Sequence, residues 1–369
     1  MNFSYFNPTH IYFGQNCIAS HPEAFRGWGR KALLVTGRHS ARANGSLDAV
    51  CQALESQGIG WCLYDRTVSN PTLASVRQGI AFLKEEGADF VIGIGGGSPM
   101  DTAKAISFLA DQDIPDEAVF DSCRYQNKTL PLLMVPTTAG TGSEVTPYAV
   151  LMNEAAHSKS SISTPYLYPK AAFLDPQYTW NVGLATTRWT AIDAFSHSAE
   201  GILSQQNDPM ITAIALEGIR AFGRCREALV SGKFSPEIRE QLLYASLLGG
   251  LVLAHTSTTA VHAMGYSLTY YKGTPHGRAN GLCLGGYMKM VQETQPEPVA
   301  AILEALSLKD LDAFREFLDR LLGEREPVTE EEILRYSREA SGRRNIPNSL
   351  VPPTEEQIAA IYRAGFRQP

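Results

Sequence analysis

The sequence predicts two domains of unlike class: an α/β N-terminal domain built on a parallel sheet, and an all-α C-terminal domain. Three observations lead there. Between Lys31 and about Asp175, short apolar runs (KALLVTG, DFVIGIG, LPLLMVP, AAFLD) alternate with stretches of helical period such as Leu73, Val76, Ile80 and Leu83, the pattern of βαβ units. After Asp175 the strand-like runs stop, and PMITAIALEGIRAF, IREQLLYASLLGGLVLAH and TEEEILRYSREAS all read as helices. At 369 residues the chain also exceeds what one hydrophobic core usually serves. The boundary falls near residues 178–185, giving an α/β dinucleotide-binding domain over 1–180 and a helical metal-binding domain over 181–369.

Composition excludes several function classes. Hydrophobic content of 44% with 19% charged residues describes an ordinary globular protein able to bury a large core. The net charge of −6, with both signs interspersed, gives no electrostatic footprint for nucleic acid or an anionic membrane. The N-terminus MNFSYFNPTHIYFG lacks a basic stretch followed by an apolar one, and no run of about 18 apolar residues occurs, so a cytoplasmic location is expected. Six cysteines (Cys17, Cys51, Cys62, Cys123, Cys225, Cys283) are scattered without C-x-x-C spacing and read mostly as buried, reduced thiols. The charged stretch Gly323–Arg344 is a solvated helix face.

In the first domain the informative run is Gly93-Ile-Gly95-Gly96-Gly97-Ser98-Pro-Met-Asp101, between a buried strand and a helix. Glycines let backbone N–H groups approach a pyrophosphate, Ser98 is placed to cap the helix, and the helix N-terminus favours negative charge. The run is not G-x-G-x-x-G, and a glycine turn serving no ligand is the alternative. A second small-residue loop, Pro136-Thr-Thr-Ala-Gly-Thr-Gly-Ser-Glu144, follows another apolar strand and offers hydroxyls and amides beside the first.

In the second domain Asp193 and His197 stand at i and i+4 of TAIDAFSHSAEG, one above the other on a helix face, so both can reach one ion. His262 and His276 follow in VHAMGYSLTYYKGTPHG. One carboxylate and three imidazoles suit a borderline ion such as Fe²⁺ or Zn²⁺ rather than Ca²⁺ or Mg²⁺. D-x-x-x-H alone is short enough to arise by coincidence; the second histidine pair and the upstream nucleotide loop favour the metal.

GGGSPMDTAKA, PTTAGTGSEVT, the D-x-x-x-H pair with Glu200, and the histidine segment ending in PHG resemble the iron-dependent alcohol dehydrogenase family, in the family's order and over nearly the whole chain. The resemblance implies a dehydroquinate synthase-like fold, with the active site in a cleft between a dinucleotide-binding domain and a helical one. It implies that Asp193, His197, His262 and His276 are the metal ligands and act in catalysis through the ion. Gly95, Gly96, Gly97, Ser98, Asp101, Thr137, Thr138 and Lys159 would face the cofactor, with Asn70 of the SNPT segment close by. A homodimer or larger homo-oligomer is expected, with the N-terminal strands as a contact.

The expected activity is metal-dependent hydride transfer between NAD(P) and a small primary alcohol, aldehyde or diol. The ion would act as a Lewis acid that acidifies the alcohol or polarises the aldehyde carbonyl. Iron is favoured over zinc because it accepts five or six ligands more readily than a closed tetrahedral site does. No G-x-S-x-G or activated-cysteine pattern is present. Two other readings stand beside this one: a lyase resembling dehydroquinate synthase, and a non-catalytic metal- or nucleotide-binding module. The lyase would need several cations to hold a phosphorylated, carboxylated substrate.

Two departures from the family matter. At the end of the first strand, where many NAD-preferring members carry Asp, this chain reads Val35-Thr-Gly37-Arg38-His39-Ser40. Gly37 removes a repulsive carboxylate, while Arg38, Ser40 and Arg42 offer donors to a 2′-phosphate, so NADP(H) is expected ahead of NAD(H). The alternative is a solvated loop that accepts both. One helical turn past His262, where several relatives place a histidine, stands Tyr266; a phenol titrates near pH 10, which puts a proton relay there in doubt.

Other residues are weighed more briefly. Tyr148, Phe195, Tyr266 and Tyr270 are expected to line an apolar pocket suited to unbranched substrates. His255, two turns before His262, reads as a hydrogen-bonded core histidine, or one that supports the ligands, rather than a fifth ligand. His10, His21 and His157 read as loop or surface residues, and His39 as a neighbour of the adenosine ribose.

Overall fold

The computed structural model describes residues 3–155 and 158–366, so the expectation for His157 lies outside the described residues. The chain divides into two units by its contacts. One comprises Asn7–Thr138 and Ser143–Asn181; the other comprises Met1–Phe6, Ala139–Gly142 and Val182–Pro369. The main crossover thus falls at 181–182, and two short excursions, at the N-terminus and at 139–142, group with the helical unit. A single boundary could not show those excursions, because sequence periodicity reports local structure and not which body a loop packs against.

The α/β unit carries a six-stranded sheet. Its strands are β1 (His10–Phe13), β2 (Lys31–Thr36), β3 (Gly60–Tyr64), β4 (Phe90–Gly95), β5 (Leu132–Pro136) and β8 (Ala171–Leu174), in the spatial order β1-β8-β5-β4-β2-β3. Every pairing is parallel. A separate antiparallel hairpin joins β6 (Tyr148–Asn153) to β7 (Ser158–Ser163). The strands expected from KALLVTG, DFVIGIG, LPLLMVP and AAFLD are β2, β4, β5 and β8, and β4, β5 and β8 are buried along their whole length. Continuous burial is what a parallel strand covered on both faces requires, which is why these runs read as unbroken apolar stretches rather than alternating ones. His10, read as a loop or surface residue, opens β1.

From β2 the chain runs outward to β3, then returns to place β4 on the other side of β2. The order therefore reverses between β2 and β4. In an open parallel sheet such a reversal opens a crevice at the strand C-termini, where ligands bind.

The helical unit is built from long helices with strong start signals. Asp208 accepts from the N–H groups of Met210 and Ile211 and caps Pro209–Arg224, with proline at its first turn. Ser235 does the same for Pro236–Thr256, accepting from Ile238. That helix stops at Ser257, whose φ of 58° and ψ of −172° no helix can continue. The next helix, Ala260–Lys272, sets off at 107° to it. Among the described residues no single helix is long and apolar enough to cross a membrane. The six cysteines are free thiols; Cys17, Cys62, Cys225 and Cys283 are buried.

Candidate functional site

In the α/β unit the sequence-predicted nucleotide residues gather at the C-terminal edge of the sheet. Pairing of β2 with β4 sets Thr36 beside Ile94, so Gly37 and Arg38 emerge next to the Gly95-Gly96-Gly97 turn. Pairing of β4 with β5 sets Gly95 beside Pro136, and the Thr137 N–H donates to the Gly95 carbonyl at 2.9 Å. Thr138 packs against Gly96. Asn70, held at a φ of 55°, donates its N–H to Ser98 Oγ at 3.3 Å. A non-glycine residue in the left-handed region is uncommon and clusters at ligand sites.

Ser98 does not cap its helix. The helix Gly97–Leu109 begins two residues earlier than expected, with Gly96 at the cap position and no side chain bonded to its first turn. Two glycines before Ser98 let the backbone turn into the helix before the serine is reached. The first-turn N–H groups are therefore left for a ligand, which is the arrangement an anion needs. Asp101, expected to face the cofactor, accepts from Ser143 Oγ at 2.8 Å and from the Val150 N–H at 3.3 Å. Its role is to tie the second small-residue loop and β6 to this helix. Burial pushes its carboxyl up, with Lys104 and Lys159 pulling the other way. Arg38, His39 and Ser40 are exposed at the end of β2, and Arg42 pairs with Asp65 at 3.8 Å.

In the helical unit the residues expected to hold a metal converge. The helix Leu184–Ile202 supplies Asp193 and His197, Ala260–Lys272 supplies His262, and His276 is the first residue of His276–Gln292. From Asp193 Oδ1, the Nε2 atoms of His276, His262 and His197 lie 3.7, 3.8 and 3.9 Å away. Ligand atoms of Asp193, His262 and His276 all fall within 4.8 Å of one another; His197 stands just outside that tightest group. Tetrahedral ligands about 2.0–2.2 Å from an ion sit roughly 3.3–3.6 Å apart, so these spacings are those of a slightly opened cage. Gly277 makes the convergence possible: a Cβ there would overlap the Trp189 carbonyl oxygen and press on Asp193. His276 is the accessible member, its side chain 25% exposed against 2–5% for the other three.

The protonation states fit a cation. Burial, and next the neighbouring His262, push His197 down to about 3, so its ring is neutral with a lone pair to give. The Gly140 backbone offers His197 only weak support, since Nδ1 is buried without a hydrogen bond of good geometry. Glu200 is fully buried. Burial pushes its carboxyl up, but His262 and the Thr259 donors outweigh this and hold it below the ordinary value. It accepts from Thr259 N at 2.8 Å, Thr259 Oγ1 at 2.6 Å and His262 Nδ1. With Nδ1 so occupied, the His262 tautomer is fixed and Nε2 is the nitrogen that faces Asp193. One carboxylate and three imidazoles, one of them supported from behind by Glu200, make a donor set that fits the ion the resemblance implies.

Around this centre one expectation is corrected and another is narrowed. Phe195 is not a pocket residue: it is buried against Phe222 and Phe314, with ring centroids 4.9 and 5.5 Å away, because its position on the helix lies off the face that carries Asp193 and His197. His255 neither ligates nor supports a ligand. Its Nε2 pairs with Asp208 at 3.2 Å and its ring stacks on Tyr5, because the break at Ser257 turns it away from the helix that carries His262. Tyr266 does reach the site, stacked on His276 at 5.5 Å. Burial pushes its phenol up to about 12, so it stays protonated at neutral pH, which does not suit a proton relay. Tyr270 packs edge-on against Tyr271. Sequence reading missed Asn280, whose amide lies among the ligand atoms; its i+4 spacing from His276 was the available signal.

Two family models match the chain, the iron-containing alcohol dehydrogenases over residues 8–176 and the C-terminal part of the Fe-containing alcohol dehydrogenase family over residues 187–366. The chain belongs to the iron-containing alcohol dehydrogenase family. As a member of that family it is a metal-dependent oxidoreductase that moves hydride between NAD(P) and a small alcohol or aldehyde. That placement decides against the lyase and the non-catalytic module.

Relatives agree. The 1,3-propanediol dehydrogenase of Klebsiella pneumoniae is 33% identical over 84% of this chain and 82% of its own length. An iron-containing alcohol dehydrogenase from Thermotoga maritima superimposes with a TM-score of 0.92 at 35% identity, covering 99% of each chain. Sulfoacetaldehyde reductase from Bifidobacterium kashiwanohense, solved with NAD⁺, superimposes with a TM-score of 0.89 at 27% identity over 99% of each chain. Both superimposed structures share the α/β and helical architecture described above.

Proposed function

We propose that Asp193, His197, His262 and His276 hold one Fe²⁺ ion, with Zn²⁺ as the weaker candidate, and that the chain interconverts short unbranched aldehydes or diol-derived aldehydes with their primary alcohols. The observation that carries this reading is the approach of three imidazole Nε2 atoms to within 3.7–3.9 Å of one Asp193 oxygen. When bound, the ion supplies Lewis-acid polarisation of the carbonyl or alcohol oxygen.

The chain's own residues do the rest. Asp193 brings the single negative charge of the ligand set. Glu200 keeps the His262 donor nitrogen turned inward. Tyr266, flat against His276, walls the accessible side and favours an apolar substrate chain. The uncapped first turn at Gly97 and Ser98 binds the pyrophosphate, with Gly95, Gly96, Thr137, Thr138 and Asn70 around it. Lys159 and Asp101 attract one another electrostatically beside that turn, placing a cation near the nucleotide. No nucleophile is required: burial holds the Cys283 thiol protonated.

The coenzyme reading is NADP(H) ahead of NAD(H). Gly37 leaves space where a carboxylate would repel a 2′-phosphate, its nearest neighbour being Ser40 Oγ. Arg38 and Ser40 are exposed at the β2 end and free to move toward a phosphate. The NAD⁺ bound by the Bifidobacterium relative is the observation that points the other way. We further read the chain as a cytoplasmic homo-oligomer, supported by β1, an edge strand able to pair with a second copy.

Metal content of anaerobically purified protein, followed by kcat/KM for short aldehydes with NADPH and with NADH, tests the reading. It predicts about one iron per chain and a higher kcat/KM with NADPH. Equal or better kcat/KM with NADH overturns the coenzyme assignment; turnover by metal-free protein overturns the centre.

A further inference from the structure

The charged stretch that ends at Arg344 reads in sequence as a solvated face, but Arg343 is half-buried. The helix Glu330–Ser341 has just ended there, and the backbone is tied on both sides. The Arg343 N–H donates to the Ala340 carbonyl at 3.0 Å, and the Ile346 N–H donates to the Arg343 carbonyl at 3.1 Å. Three side chains just beyond bolt the same turn to the start of the helix that carries His262. Asn345 donates to Thr258 Oγ1, Asn348 Nδ2 donates to the carbonyls of Thr256 and Thr258 at 2.8 and 3.0 Å, and Ser349 Oγ accepts from the Ala260 N–H at 3.0 Å.

Held there, the Arg343 guanidinium lies over the Tyr266 ring, with Cζ 5.7 Å from its centroid, and Nη2 donates to Ser267 Oγ at 3.4 Å. The same ring stacks on His276, the accessible member of the cluster, at 5.5 Å and meets His262 edge-on at 6.2 Å. Tyr266 therefore links two of the expected ligands to a fixed cation. Arg344 is exposed next to Arg343, and both oppose the rise that burial, Glu200 and Asp193 impose on the Tyr266 phenol. A wall for a purely apolar chain requires neither charge. A guanidinium presents its N–H groups as a planar fork, the shape that a carboxylate fits.

We propose that Arg343 sets the substrate preference by receiving a terminal carboxylate, so that the preferred substrate is a short aldehyde with a carboxylate at its far end. The carbon chain lies along Tyr266, and Arg344 strengthens the positive field. The inference rests on the activity proposed above and narrows its substrate class.

The test uses iron-loaded protein and two aldehydes of equal length, 4-oxobutanoate and butanal, on wild type, Arg343→Gln and Arg343→Lys. Wild type should favour 4-oxobutanoate about tenfold or more in kcat/KM, chiefly through KM. Arg343→Gln should lose that ratio, and Arg343→Lys, which keeps the charge without the fork, should keep part of it. A wild type that prefers butanal, or a ratio unchanged in Arg343→Gln, overturns the proposal. So does an equal fall for both aldehydes, which is the result of a packing role against Tyr266.

Binding without turnover supplies a second readout. In calorimetric titration of loaded wild type, succinate should bind at least about tenfold more tightly than butanoate, and in Arg343→Gln the two should bind alike. Equal affinities in wild type contradict the proposal, and that comparison needs no variant to fold. Turnover of neither aldehyde is a different failure, that of the activity itself, and the succinate comparison still decides the role of Arg343.

Discussion

Nδ1 of His262 donates to the Glu200 carboxylate, and Nε2 of the same ring lies 3.8 Å from Asp193 Oδ1. The pair joins two helices, Leu184–Ile202 and Ala260–Lys272, and decides which imidazole nitrogen can meet a cation. A carboxylate behind a ligand histidine fixes its tautomer and raises its basicity.

Replacing Glu200 by Gln keeps the size and one acceptor but removes the charge that faces His262 and Thr259. Affinity for Zn²⁺ or Co²⁺ should fall roughly 10–100-fold while the protein remains folded. Titration against a competing chelator measures it, and unchanged affinity would show that the tautomer is set elsewhere.

Ser257 interrupts two helices with a φ of 58° and a ψ of −172°, a region populated almost entirely by glycine. The strain sits between the helix that ends at Thr256 and the one that presents His262. Ser257→Gly should relieve more strain than it costs in unfolded-state entropy, stabilising the protein by about 1 kcal/mol. Denaturant unfolding checks the sign, and destabilisation would contradict it.

Glu144 and Lys104 are both buried in the α/β unit, and their opposite charges attract one another. Burial raises the Glu144 carboxyl to about 7 from 4.5, with Lys104 opposing, and lowers the Lys104 amine to about 8 from 10.5. The Glu144 contribution to stability is complete below pH 4.5 and is lost as pH rises through about 7. That of Lys104 is complete above pH 10.5 and is lost as pH falls through about 8. Glu144→Gln removes the first slope, so the Tm of the variant relative to wild type should be more favourable near pH 8 than near pH 5. Melting curves at the two pH values decide it; an equal difference at both rejects the raised carboxyl.

Much of this arrangement was legible in the chain. Continuous apolar runs gave the parallel strands, because burial on both faces leaves no polar position in β4, β5 or β8. Asp193 and His197 were legible because i and i+4 share a helix face. What stayed hidden depends on packing between elements distant in sequence. Phe195 reads as a pocket aromatic until Phe222 and Phe314 enclose it. His255 reads as a neighbour of His262 until the break at Ser257 turns it to Asp208. Ser98 reads as a cap, and only the helix start at Gly97 shows otherwise.

The central claim is that a divalent ion in the Asp193–His276 cluster carries hydride chemistry with a pyridine nucleotide. Coenzyme oxidation with a short aldehyde, followed before chelation, after chelation and after return of Fe²⁺, tests it in one series. The account predicts activity lost with the metal and recovered with Fe²⁺ in wild type, and no recovery in Asp193→Ala. Turnover that persists in metal-free protein, or that Fe²⁺ restores without Asp193, would contradict it.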